Sequence, residues 1–128
     1  MHAIGHRKAL HLYARNLDTV GINSGNRFNR FLDIWIVEVE DRIFVRSGGH
    51  DPAGWFATFM QDEYGYLLCD QEVIPITGYL PVDLKDMLPR IDQAYWDKYG
   101  YGRRIPLVEQ ITSPASSNWT LEIFPQAS

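Results

Sequence analysis

Five consecutive residues, Arg46-Ser47-Gly48-Gly49-His50, combine the side chains and backbone freedom in this chain best suited to holding a small anion. Backbone N–H groups freed by glycine, leading into a helix N-terminus, can cradle a phosphate or carboxylate. The competing reading is that the glycine pair only makes a sharp strand-to-helix turn, and such a pair does not separate the two by itself. Arg46 lies in an otherwise apolar run and needs a partner there. An anionic ligand, a nearby acid or the ring of Trp35 would each serve. His50 changes charge near neutral pH, the property of a proton donor to a reduced substrate. A lone loop histidine is more often simply solvated. Trp35 and Trp55 can stack on a planar ligand, whereas aromatics at strand and helix spacing more often belong to a core or an interface.

The remaining reactive side chains group poorly. Cys69, in the apolar run YLLCD, has no histidine near it and reads as a small buried hydrophobe rather than a nucleophile. His2, His6 and His11 are four and five residues apart with no cysteine or carboxylate joining them, so no metal site is expected. Asp62-Glu63 and Asp83-Asp86 read as solvated acids at a turn and a helix start, and Arg103-Arg104 as a solvated loop pair. No two carboxylates have a separation that would define an acid/base pair.

The chain has 128 residues, 45% of them hydrophobic and 13% aromatic, a composition that excludes disorder and suits one domain spanning 1–128. The formal net charge is −4. Residues 1–30 hold five basic side chains against one acidic; residues 31–99 hold five against thirteen. That balance argues against broad nucleic-acid binding, which requires a basic field over the docking face. One cysteine suits a reducing compartment. No apolar run reaches the roughly 20 residues of a membrane span, and charge interrupts the N-terminal segment, so a soluble, cytoplasmic protein is expected. The glycosylation triplet Asn118-Trp119-Thr120 carries no weight in that compartment.

The elements that would position these residues follow from periodicity and turn chemistry. Ile34–Val39 and Arg42–Ser47 are rich in β-branched and aromatic residues and read as a hairpin at the centre of a sheet, turning at Glu40-Asp41. A two-residue turn pairs Val39 with Arg42, Val37 with Phe44 and Trp35 with Arg46, and places Ile34, Ile36, Glu38, Ile43, Val45 and Ser47 on the opposite face. The alternation in Ala9–Ala14 predicts a first strand, followed by a polar connection over Arg15–Asn29. Asp51 and Pro52 suit the start of a short helix burying Trp55, Phe56, Phe59 and Met60. Tyr66–Asp70 and Glu72–Thr77 form a second hairpin, with Pro75 implying an edge or bulge. Pro89 opens a long helix with the stripe Ile91, Tyr95 and Tyr99, ended by Gly100 as a left-handed cap. A loop over Gly102–Ser117 and a strand over Trp119–Phe124 complete the chain. The sum is a mainly β, α+β fold with two helices and six or so antiparallel strands, closed as a small barrel.

Three segments, IWIVEVEDRIFVRSGG, GWFATF and IDQAYWDKYG, resemble the flavin-binding split-barrel superfamily, which includes pyridoxamine-phosphate-oxidase-like and deazaflavin-dependent reductases. With the terminal WTLEIFP, they look like an uncharacterised subfamily placed there, of which the Tyr-x-x-Lys-Tyr-Gly ending (Tyr95, Lys98, Tyr99, Gly100) is distinctive. The resemblance implies a six-stranded antiparallel split barrel that forms a homodimer, with FMN or a deazaflavin held at the subunit interface and no metal. The matching cofactor positions are Arg46, Ser47, Gly48, Gly49 and His50, with Trp55 beside them. The chain departs from the pattern at Gly54-Trp55, where pyridoxamine oxidases place a basic residue. A phosphate wants more than one cation to replace its water. Two functions therefore stand side by side: a flavin- or deazaflavin-dependent oxidoreductase, and a split-barrel dimer that has lost flavin and binds another small molecule or a protein partner.

Overall fold

A computed structural model describes residues 3–25, 30–49 and 54–126. Its elements run α1 (Ala3–Asn16), β1 (Val20–Asn23), β2 (Leu32–Ile34), β3 (Val37–Val39), β4 (Arg42–Arg46), α2 (Trp55–Gln61), β5 (Tyr64–Cys69), β6 (Glu72–Tyr79) and α3 (Leu84–Tyr99). A 3-10 turn (Gly102–Arg104), α4 (Ile105–Ile111), α5 (Pro114–Ser117) and β7 (Thr120–Pro125) follow. The seven strands form one antiparallel sheet in the order β2-β1-β5-β6-β7-β4-β3. Its outermost strands, β2 and β3, are consecutive in the chain with only Trp35 and Ile36 between them. Three peptide steps span at most roughly 11 Å, so the sheet must curl to bring its two unpaired ends near each other, as a barrel-like half shell. The fold is α+β as expected, with seven strands rather than six and five helices rather than two among the described residues.

The first hairpin has the predicted register: Val39 faces Arg42 and Val37 faces Phe44. Glu40 and Asp41 both have positive φ, 51° and 66°, the signature of a type I′ turn whose twist matches the strands. The predicted facing also holds. Ile36, Ile43 and Val45 point into the inner core with Val20, Ile22, Leu67, Ile74, Ile76, Leu121 and Ile123. Val37, Val39 and Phe44 point outward, under Met87, Ile91, Tyr95 and Tyr99 of α3 and Val108 of α4. The hairpin lies at one end of the strand order, not its centre, because β7 inserts between β4 and β6.

Several expectations fail for identifiable reasons. Ala9–Ala14 belongs to a helix: Leu10 and Ala14, one turn apart, are buried, whereas Leu12 is 54% exposed, so the apparent alternation is half of a helical stripe. The connection over Arg15–Asn29 contains β1, whose four residues are all buried. The loop over Gly102–Ser117 contains α4 and α5, each with proline in its first turn. Pro89 lies inside α3 rather than opening it, and Gly100 closes that helix at φ −79°, not in the left-handed region. Glycine is needed there for space, since a Cβ would lie 2.4 Å from the Trp96 carbonyl oxygen. Met60 is exposed, while Trp55, Phe56 and Phe59 are buried as expected. Phe59 fits because its α2 packs against glycines: a Cβ on Gly65 or Gly78 would meet the Phe59 ring at 2.5 or 3.0 Å. Pro75 sits within β6, an interior strand, but where β7 runs out: pairing of β6 with β7 begins one residue on, at Ile76. The proposed caps Asp51 and Pro52 lie outside the described residues.

The ladder stops at Val37, so the backbone of Ile36, which carries the chain between the sheet's two ends, has no strand partner. Tyr99 and Lys98 take its place. The Tyr99 hydroxyl accepts from Ile36 N–H (3.1 Å) and donates to Asp18 O (2.6 Å), and Lys98 Nζ donates to Ile36 O (2.8 Å) and Ala14 O (2.7 Å). The Tyr99 ring stacks on Trp35 at 4.2 Å with planes 6° apart. No helix among the described residues is long and apolar enough to cross a membrane.

Candidate functional site

The last residue of β4, Arg46, alternates outward with Phe44 and so enters the layer between the sheet and α3–α4. Its side chain has no solvent exposure. A buried guanidinium is costly unless its charge and donors are answered, and most are. Nε donates to Thr120 Oγ1 (2.8 Å), Nη1 to Asp92 Oδ1 (2.5 Å) and to Ile111 O (3.0 Å), and the group lies 5.5 Å from the centre of the Tyr95 ring. Nη2 has no partner. The Tyr95 hydroxyl, fully buried, also has none, and burial raises its pKa.

Arg46 forms part of the wall of a 490 Å³ cavity together with Trp35, Gly48, Gly49, Asp33 and the α4 residues Leu107, Gln110 and Ile111. That volume is in the range of small-molecule sites. A Cβ built on Gly48 or Gly49 would meet nothing within 4 Å, so the glycine pair borders open space rather than packed backbone. Trp35 is half-buried, one face covered by Tyr99. Arg46 is the only cationic residue among the described lining residues, and Asp33, exposed on β2, is the only acid.

The structure thus brings three expected site residues, Arg46, Gly48 and Gly49, to one cavity. Trp35 joins them there, although the expected Trp35–Arg46 cross-strand pair is absent because β3 begins at Val37. Ser47 is buried and its N–H donates to Trp119 O at 3.1 Å, a structural bond. Trp55 is in the inner core, edge-on to Phe56 and Phe59 at 6.0 and 6.4 Å, and does not line this cavity. His50 lies outside the described residues. The opposite wall, Leu107, Gln110 and Ile111, is not evident in the sequence, where the polar and glycine-containing flanks of α4 read as loop. The spacing of Leu107 and Ile111 behind Pro106 is the signal that marks it.

Two other places compete less well. A 590 Å³ groove contains Arg42, but that guanidinium is fully engaged, by Asp83 at 2.8 and 2.9 Å and by Glu122 at 2.9 and 2.8 Å. His11, Glu38 and Asp41 bring three possible metal-ligand atoms within 4.8 Å of one another. Arg15 Nε already bonds Glu38 at 2.6 Å. Burial pushes the Glu38 carboxyl up, and Arg15 and His11 together overcome this and hold it below the usual range. A resident cation makes this cluster an ion pair tying α1 to β3. Cys69 is buried, and burial first, then Glu72, pushes its thiol up to about 12.

Fold and cavity together define a curled, barrel-like α+β protein with one buried arginine in the wall of a cavity between its sheet and α4. The chain belongs to the family described as "Uncharacterized protein conserved in bacteria (DUF2255)", whose model matches residues 4–123. No curated protein matches it.

Proposed function

We propose that this protein binds a planar heteroaromatic cofactor of the flavin or deazaflavin class in the Arg46 cavity and works as an oxidoreductase. The observation that carries this reading is the open, half-apolar cavity walled by Trp35, Arg46 and the Gly48-Gly49 backbone. Trp35, Leu107 and Ile111 offer apolar surface to a ring, and Gly48 and Gly49 leave room for it. The cofactor would supply the hydride chemistry, while the chain binds, orients and excludes water. Homodimerisation belongs to the same proposal. It is supported by the uncovered outer face of β5 and β6, where Tyr64, Tyr66, Val73 and Tyr79 are exposed beside Phe124.

A second reading is a split-barrel protein that holds a small molecule without turning it over. The cavity's chemistry favours it in one respect: among the described lining residues no histidine, lysine or cysteine stands ready to move a proton. The visible spectrum of the purified protein, followed by titration with FMN, riboflavin and a deazaflavin, tests the first reading. Yellow absorbance or saturable quenching of ring fluorescence is expected, lost on substituting Leu107→Asp in the cavity wall. No binding of any ring at high concentration overturns it, and binding without reduction by nicotinamide or a chemical hydride donor turns the case to the second. Light scattering on the same sample should give twice the chain mass.

A further inference from the structure

We infer that the ring taken by this cavity carries no phosphate, so the preferred form is the dephosphorylated one, with riboflavin favoured over FMN. This rests on the reading of the Arg46 cavity as a ring site and sharpens it to a ligand class. The charge around the cavity decides the preference. Arg46 is the single cation among the described lining residues, and its charge is already met by Asp92, which holds Nη1. Asp33 adds a second carboxylate at the exposed rim. Arg46, Asp92 and Asp33 together therefore leave an excess of one negative charge.

A phosphate monoester brings nearly two more negative charges at neutral pH and is ordinarily held by charge-assisted bonds from several donors or cations. Here the one guanidinium has no exposed surface and is already engaged by Thr120, Asp92 and the Ile111 carbonyl, so a phosphate in the cavity does not reach it. Gln110 already lies 3.5 Å from Gly48 O through its Nε2, and the other side-chain donors among the described lining residues, Thr19 and Trp35, are uncharged. The α4 helix has seven residues, too short for an N-terminal anion site. An uncharged ring adds no charge to this site; a phosphate meets like charge at Asp33, with no accessible cation among the described lining residues to offset it.

The test is fluorescence titration of the full chain with riboflavin and with FMN, each at low and high salt, for the wild type and Asp33→Asn. Riboflavin should bind about tenfold more tightly than FMN at low salt, and the gap should shrink as salt screens the carboxylates. Asp33→Asn, a change at the cavity rim, should raise FMN affinity about threefold relative to riboflavin. FMN binding tighter than riboflavin, or equally tight, overturns the inference while leaving the ring site standing. An unchanged preference in Asp33→Asn overturns its electrostatic basis. Failure of both rings to bind removes the ring-site reading itself, and the inference with it.

Discussion

Lys98 is held by two carbonyl oxygens, Ala14 O and Ile36 O, and lies 5.2 Å from the centre of the Tyr99 ring. Burial lowers its pKa to about 8, and Asp18 offsets this only in part. A lysine that releases its proton more easily when folded makes the unfolded chain bind more protons between about pH 8 and its ordinary 10.5. Lys98's contribution to stability is thus constant below pH 8 and rises as pH climbs through that window. Cys69 acts in the opposite sense above its ordinary 9.0, because its folded thiol holds the proton to about 12, so the wild-type curve alone mixes the two. The difference in Tm between wild type and Lys98→Met isolates the lysine. It should shift in favour of wild type from pH 8 to pH 10; a flat difference would mean that the amine is solvated. The same residues explain why the Tyr-x-x-Lys-Tyr-Gly ending stands out in the sequence. Tyr95 lies against Arg46, Lys98 and Tyr99 satisfy Ile36, and Gly100 avoids Trp96. Its spacing is visible in the sequence, but its partners, more than sixty positions away for Ile36, are not.

At the scale of elements, the first hairpin holds its register with an unfavourable pair of turn residues. Glu40 and Asp41 adopt positive φ, a conformation costing L-residues on the order of 1 kcal/mol each, less for aspartate. Replacing both, Glu40→Asn with Asp41→Gly, gives the pair that type I′ turns favour. The double substitution removes the 3.1 Å Arg90–Glu40 ion pair and the 3.9 Å Arg15–Asp41 approach, and exposed pairs contribute roughly 0–1 kcal/mol. A gain of about 0.5 kcal/mol in urea unfolding is expected; a decrease would show that those pairs outweigh turn strain. The hairpins and α3 are legible because each is a local pattern: two apolar runs about a short polar turn, or a stripe at intervals of four. Where burial is decided by distant partners, local pattern misleads. The strand β1, with Gly21 and Asn23 flanking Ile22, looks polar and is buried because it lies between β2 and β5. Helix α1 looks strand-like because only Leu10 and Ala14 of its described buried face are strongly apolar and fully covered.

For the whole molecule, half of the candidate site is readable in the sequence and half is not. Arg46 to Gly49 announce themselves as an arginine and a glycine pair leaving a strand. The facing wall comes from α4, far along the chain, and its approach depends on α3 crossing the sheet to deliver it. The negative excess of residues 31–99, by contrast, is visible from composition and reappears locally as Asp33 at the cavity and Asp92 on Arg46.

The position of β7 has a consequence for how the molecule comes apart. It pairs along β4 from Arg46–Thr120 to Ile43–Ile123, and along β6 from Tyr79–Glu122 to Ile76–Pro125. It thereby joins the four strands β2-β1-β5-β6 to the two strands β4-β3. A protease site introduced between Thr112 and Ser113, in the partly exposed link before α5, would free a short fragment bearing β7. That fragment has Leu121 and Ile123 in the inner core, so it should remain bound after cleavage. The nicked protein would then behave as a two-chain complex, its thermal midpoint climbing with protein concentration more steeply than that of the uncut chain.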